Sequence, residues 1–163
     1  MLYIRIDDRL IHGQIVTAWC QALDIKKILA VDDTLAQNEM MKSIMTMGVP
    51  EVYRPQIVST EEAIVFLRQG DLKNNVLLLT RFARNLQSFL PVLPVAEFIN
   101  IGNCSKQTEE KYGFRGHGVG NVLSFTEEDF QALEALAQKG QKVIFQQMPK
   151  DKALDWQAIK QYF

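Results

Sequence analysis

The chain has little of what metal and redox chemistry draw on: two histidines and two cysteines in 163 residues. Cys20 and Cys104 form no Cys-x-x-Cys pair, and with His12 and His117 they show no ligand spacing. No bound metal is therefore expected. Both thiols are expected to be free, as in a reducing cytosol. Long apolar runs are also missing. No segment approaches the ~20 apolar residues that a membrane-spanning helix needs. The opening Met-Leu-Tyr-Ile-Arg-Ile-Asp-Asp has neither the basic region nor the apolar stretch of a secretory leader. Net charge is close to absent, −1 at pH 7. That removes the electrostatic case for nucleic acid or an anionic membrane as partner. Any anion has to be held by a local site. The glycines Gly113, Gly116, Gly118 and Gly120 do not match the dinucleotide fingerprint, and no phosphate-loop motif occurs, so no nucleotide cofactor is expected.

What is present is ordinary globular material, 47% apolar and 23% charged, in a length suited to one domain over residues 1–163. Leu2-Tyr-Ile-Arg-Ile6 alternates like a strand and stops at an Asp pair. From Gly13 on, Ile15, Trp19 and Leu23 form a helical stripe. Ile28-Leu-Ala-Val31 is the short unbroken apolar run of a buried parallel strand. A helix through Met40, Met41, Ile44 and Met45 should end near Gly48, with its methionines (Met47 included) filling core gaps. Ser59-Thr-Glu-Glu62 has capping-box spacing for a helix closing at Gly70. Val76-Leu-Leu-Leu79 reads as a central strand, Asn85 to Leu90 as a short helix, and Phe98-Ile-Asn-Ile101 as a further strand. Thr126-Glu-Glu-Asp129 opens a helix stopped by Gly140; Lys142 to Phe145 makes a last strand and Leu154 to Tyr162 a terminal helix. This alternation implies an α/β fold: three layers, an open and mostly parallel sheet of about six to seven strands, helices on both faces. The segment Asn103 to Gly120 reads as one long loop.

In such a sheet, ligands bind beyond the carboxyl ends of the strands. Asp7-Asp8-Arg9-Leu10-Ile11-His12-Gly13-Gln14 lies there, between the first strand and the first helix. A helix N-terminus suits phosphate, Gly13 allows close approach of an oxyanion, and Arg9 supplies a fork-shaped cation. Imidazole is a usable nucleophile near neutral pH. His12 is therefore the candidate catalytic residue. Arg9, Asp8, Gly13 and Gln14 are candidate phosphate contacts, joined by Thr80 and Arg81 from the end of the Val76–Leu79 strand. Asp7 or Asp8 is expected to orient the ring or hold the loop. His117 reads as a residue of a flexible surface loop, with a second phosphate contact as the alternative. The residues alone leave two further readings open: a receiver-like regulatory domain phosphorylated on aspartate with Mg²⁺, and a non-catalytic metabolite-binding module.

The string Tyr3-Ile-Arg-Ile-Asp-Asp-Arg-Leu-Ile-His-Gly-Gln-Ile-Val, with Trp19 following, closely resembles the IIB component of the mannose/fructose/sorbose class of bacterial sugar phosphotransferase systems. Ile28 to Asp33, Phe98 to Gly102, Phe125 to Asp129, Lys139 to Val143 and Met148 to Lys152 extend the resemblance along nearly the whole chain. It implies a phosphocarrier, a protein-N(pi)-phosphohistidine–sugar phosphotransferase needing no cofactor. The motif histidine, here His12, would take phosphate from a IIA phosphohistidine, with Arg9 as the motif arginine. The phosphate would pass to a hexose or hexosamine-type sugar imported by membrane IIC and IID partners, which places the chain in the cytoplasm beside the permease. The chain departs from the family pattern Asn-Val-Gly-Gly-Met, reading Asn100-Ile-Gly-Asn-Cys104.

Overall fold

The computed structural model describes residues 1–105, 107–114 and 123–163, with Phe114 by its backbone alone. Its strands are β1 (Leu2–Ile6), β2 (Lys27–Val31), β3 (Gln56–Val58), β4 (Val76–Thr80), β5 (Phe98–Ile101), β6 (Tyr112–Phe114), β7 (Leu123–Phe125), β8 (Val143–Phe145) and β9 (Leu154–Asp155). The helices are α1 (13–22), α2 (Asp33–Ala36), α3 (Glu39–Thr46), α4 (Thr60–Gln69), α5 (Glu127–Gln138) and α6 (Trp156–Lys160), with short 3₁₀ turns at Glu51–Tyr53 and Ala83–Phe89. Seven strands form one sheet in the order β3-β2-β4-β1-β5-β8-β9, parallel except for the antiparallel edge strand β9. The expected open, three-layer α/β architecture is what the chain adopts.

Side-chain alternation divides the core between the two faces. Leu2, Ile4, Ile6, Val76, Leu78, Ile99 and Ile101 meet α4, α5, α6 and the Ala83–Phe89 turn on one side. Tyr3, Ile28, Ala30, Leu77 and Leu79 meet Ile15, Trp19 and Cys20 of α1 on the other. Arg5 shares that second face and is only 1% exposed, the one charged side chain buried within β1. The middle of α1, Ile15–Trp19, is a π-helical turn, which brings both end residues of the turn into the core.

The expected capping box forms on Ser59 with Glu62, and a second one on Thr126 with Asp129 opens α5. Gly70 and Gly140 close their helices at positive φ, +67° and +86°. Three expectations need correction. The long loop after β5 holds a strand: β6 pairs antiparallel with β7 as a separate two-stranded sheet. The terminal helix starts two residues later than expected, because Leu154 and Asp155 pair with Phe145 and Ile144 first. The methionines of α3 and its C-cap are not core: Met40 and Met47 are 72% and 76% exposed, Met41 is exposed as well, and only Met45 packs on the core. The cause is placement, since α3 buries no residue of its own. His117 lies outside the described residues. Cys20 and Cys104 are both free and buried.

Candidate active site

The chain leaves β1 through a tightly pinned turn. Asp7 N–H donates to Thr80 O at 2.8 Å at the end of β4, and Asp8 N–H donates to Asn103 O at 2.9 Å beyond β5. Leu10 then turns back, its N–H on Asp7 O at 3.0 Å and its φ at +55°. A buried leucine in the left-handed region is strained by about 1–2 kcal/mol, and its side chain, fully enclosed in the core, holds the turn in place. Two residues later His12 ends the loop. Its carbonyl accepts from Ile15 and Val16 N–H, so the residue sits at the N-terminus of α1.

The ring is partly buried and bonded through Nε2 to Asp7 Oδ2 at 2.9 Å. Asp7 has no exposure at all, and four donors converge on it. His12 Nε2, Arg5 Nε (3.2 Å) and Asn103 Nδ2 (2.9 Å) meet Oδ2, while Arg9 N–H meets Oδ1 at 3.1 Å. Burial alone would raise the Asp7 carboxyl. The bond from His12, the charge of Arg5 and the Asn103 amide outweigh it and hold the group below the usual carboxylate range. An ionised carboxylate only accepts, so the hydrogen of the neutral ring sits on Nε2 and the lone pair on Nδ1.

Arg5 ties this carboxylate to the segment that follows β8. Beyond Asp7 its guanidinium donates from Nη1 to Gln146 O (3.0 Å) and from Nη2 to Gln147 O (3.3 Å), and its Cζ lies 4.9 Å from the centre of the Trp19 ring system. Trp19 Nε1–H reaches the same Gln147 carbonyl at 3.0 Å. Burial pulls the arginine down from its ordinary value and Asp7 opposes that pull. Asn100, opposite Arg5 on β5, accepts the N–H of Gln146.

The expected site residues divide into two groups. Arg9, His12, Gly13 and Gln14 share one accessible rim, with Arg9 Nη2 lying 3.4 Å from Gln14 Oε1 and no carboxylate paired to the guanidinium among the described residues. The first N–H groups of a helix have no carbonyl of their own helix to meet, and His12 stands next to them in the chain. Asp8, Thr80 and Arg81 make bonds within the protein instead. Thr80 is fully buried and its hydroxyl accepts from Asn85 Nδ2 at 3.0 Å. Asp8 takes the backbone N–H of Ser105 at 3.0 Å and also its hydroxyl. Arg81 bonds Asp32 at 2.8 Å and the Asp8 carbonyl. All three brace the loop.

Sequence reasoning left open which aspartate faces the ring; it is Asp7. It also passed over Arg5 and Asn103. A signal for Arg5 exists, since a charged residue flanked by Ile4 and Ile6 in a two-sided strand has to find a carboxylate within the fold. Of the acidic pair that invited a receiver-like reading, Asp7 is taken up by its four donors and Asp8 by Ser105. No group of three or more His, Cys, Asp or Glu able to hold a metal occurs among the described residues. Neither thiol is poised for chemistry: burial pushes Cys20 up to about 12, and burial with the nearby carboxylates of Asp129, Asp8 and Asp7 raises Cys104 well above its ordinary range.

His12 thus has one ring nitrogen tied to a buried carboxylate, at the start of α1. The model of the PTS system sorbose subfamily IIB component matches residues 1–162. The chain belongs to this family. It is 28% identical to the fructose-specific EIIB component of Bacillus subtilis, over 95% of this chain and 92% of that one. It is 24% identical to the mannose-specific EIIAB component of Escherichia coli, over 92% of this chain and 45% of that longer protein. In fold it superposes on the IIBSor domain of the Klebsiella pneumoniae sorbose permease with a TM-score of 0.83, at 23% identity and covering 100% and 99% of the two chains. As a IIB component the chain is a phosphocarrier subunit of a sugar phosphotransferase system, a transferase that works with IIA and membrane IIC/IID components. No described helix is long and apolar enough to cross a membrane.

Proposed function

We propose that Nδ1 of His12 is the atom that carries phosphate, and that residues 1–163 act as one phosphocarrier domain. The observation that carries this reading is the bond from His12 Nε2 to the saturated, ionised Asp7. Nδ1 attacks the phosphorus of a IIA phosphohistidine. The new N–P bond forms as the donor's breaks, and the electron pair of the broken bond returns to the donor imidazole. No proton has to move. The His12 ring, phosphorylated on Nδ1 and protonated on Nε2, becomes a cation that Asp7 balances. In the onward step a sugar hydroxyl attacks phosphorus, the pair returns to Nδ1, and the hydroxyl proton leaves on the acceptor side.

Arg9, the Gly13 and Gln14 backbone and the α1 N-terminus receive the phosphoryl oxygens. An exposed rim suits a group handed between proteins. A concavity of about 610 Å³ lined by Phe82, Arg84, Gln107, Lys111 and Glu127 leaves His12 out, and phosphate delivered by a protein does not require it. The sugar is of the hexose or hexosamine type, in keeping with fructose-, mannose- and sorbose-specific relatives. The chain works in the cytoplasm against the permease, as a protein-N(pi)-phosphohistidine–sugar phosphotransferase.

The test is labelling by phosphorylated IIA protein. The expected product is acid-labile and base-stable, absent from His12→Ala, and assigned to Nδ1 by ¹⁵N NMR. Acid-stable label, or full labelling of His12→Ala, overturns the reading.

A further inference from the structure

Asp7 Oδ2 is shared among three donors: Arg5 Nε at 3.2 Å, His12 Nε2 at 2.9 Å and Asn103 Nδ2 at 2.9 Å. Because a carboxylate only accepts, it is the amide nitrogen of Asn103 that faces it. Fixing a carboxylate's orientation takes two points. Here the Arg9 N–H fixes Oδ1, and the buried guanidinium, itself tied to two carbonyls, fixes Oδ2. The Asn103 amide adds no orientation that these lack. What it changes is the charge on Oδ2 left for the imidazole.

We propose that Asn103 is a positioning residue that tempers the hold of Asp7 on the His12 ring, and so sets how readily phosphate on Nδ1 is passed on. This deepens the carrier reading above and rests on it. The phosphorylated ring with hydrogen on Nε2 is a cation, stabilised by whatever charge Asp7 presents. An oxygen shared among three donors binds each less strongly than one shared between two. Asn103 therefore leaves the phosphorylated state less stabilised and its phosphate easier to surrender. The other charged groups of the loop do not substitute for it: Asp8 is turned to Ser105, and Arg9 lies toward Gln14.

Replacement leaves the backbone bond of this position in place. The Asn103 carbonyl is held by Asp8 N–H at 2.9 Å whatever the side chain, and its backbone is not among the non-glycine residues at positive φ. The experiment compares the unaltered chain with Asn103→Ala and Asn103→Leu. Leucine keeps water out of the space the carboxamide leaves, so that water does not replace the lost donor.

Two quantities are read. The first is the equilibrium partition of phosphate between phosphorylated IIA protein and this chain, expected to move toward this chain by about three- to tenfold, the range of one hydrogen bond. The second is the ¹H resonance of His12 Nε2–H in the unphosphorylated chain, expected to move downfield as the bond to Asp7 strengthens. A merely structural role would lower the melting temperature and leave both where they are. A partition unchanged or moved toward the donor, with the Nε2–H resonance unmoved, overturns the proposal. If the unaltered chain takes no phosphate, the carrier reading fails by itself. The resonance then still decides what Asn103 does to Asp7: a downfield move supports the tempering, and no move overturns it.

Discussion

The Arg5 guanidinium lies against the backbone of Gly102, so close that a Cβ there would sit 2.4 Å from Arg5 Cζ. The glycine that ends β5 is thus a steric requirement of a charge buried on β1, and through Arg5 it bears on Asp7 and His12.

Gly102→Ala should therefore act at a distance. The added methyl displaces a guanidinium that cannot leave without stranding Asp7, a combination of overpacking and a broken buried pair worth about 3 kcal/mol. Urea unfolding should show the loss, and phosphorylation of His12 by IIA protein should slow with it. An unchanged unfolding midpoint would show that Arg5 has room to move.

Asp7→Asn should leave the chain able to fold but a poor acceptor of phosphate. The carboxamide neither balances an imidazolium nor fixes the hydrogen on Nε2, so transfer should fall by about 100-fold or more. Single-turnover labelling measures the rate, and ¹⁵N shifts of His12 report the tautomer. A normal rate with a normal tautomer would remove Asp7 from the mechanism.

Arg9→Ala should separate rate from stability. The side chain is exposed and hydrogen-bonds Gln14, with no ion pair among the described residues. The unfolding free energy should change by no more than about 0.5 kcal/mol. Labelling of His12 should slow, with the loss greatest at low salt. Equal rates for both chains would assign the phosphoryl oxygens to the helix N-terminus alone.

Acid should weaken the fold through Asp7. Its carboxyl titrates below its ordinary value in the folded chain. The stability it contributes is therefore complete above the unfolded carboxyl's value, about pH 4, and is lost as pH falls through the lower folded value. Between pH 5 and about pH 3 the unaltered chain should lose more unfolding free energy than Asp7→Asn does. Parallel curves for the two proteins would place the acid sensitivity elsewhere.

Much of the architecture was legible in the chain because its signals are local. The capping spacing of Ser59 with Glu62, the apolar runs at Val76 and Ile28, and the glycines at 70 and 140 each act within a few residues. The histidine loop was legible for the same reason, being one continuous string. What escaped was long-range. Nothing near Asp7 in sequence announces Asn103 or the carbonyls of Gln146 and Gln147. Nothing near Thr80 says that Asn85 will take its hydroxyl inward. The strand β6 was hidden by its three-residue length and its central Gly113, which together give no alternation to read. The methionines of α3 followed a helical spacing that fits a buried face and an exposed one equally well.

Arg5 and Gln146 are 141 positions apart, and this separation has a consequence for synthesis. A ribosome makes His12 well before it makes Gln146, and the guanidinium behind Asp7 meets its remaining acceptors only when the segment beyond β8 has emerged. A nascent chain stopped before that segment would carry the motif in full and still lack its backing. The support behind Asp7 is thus complete only once the segment after β8 has been made.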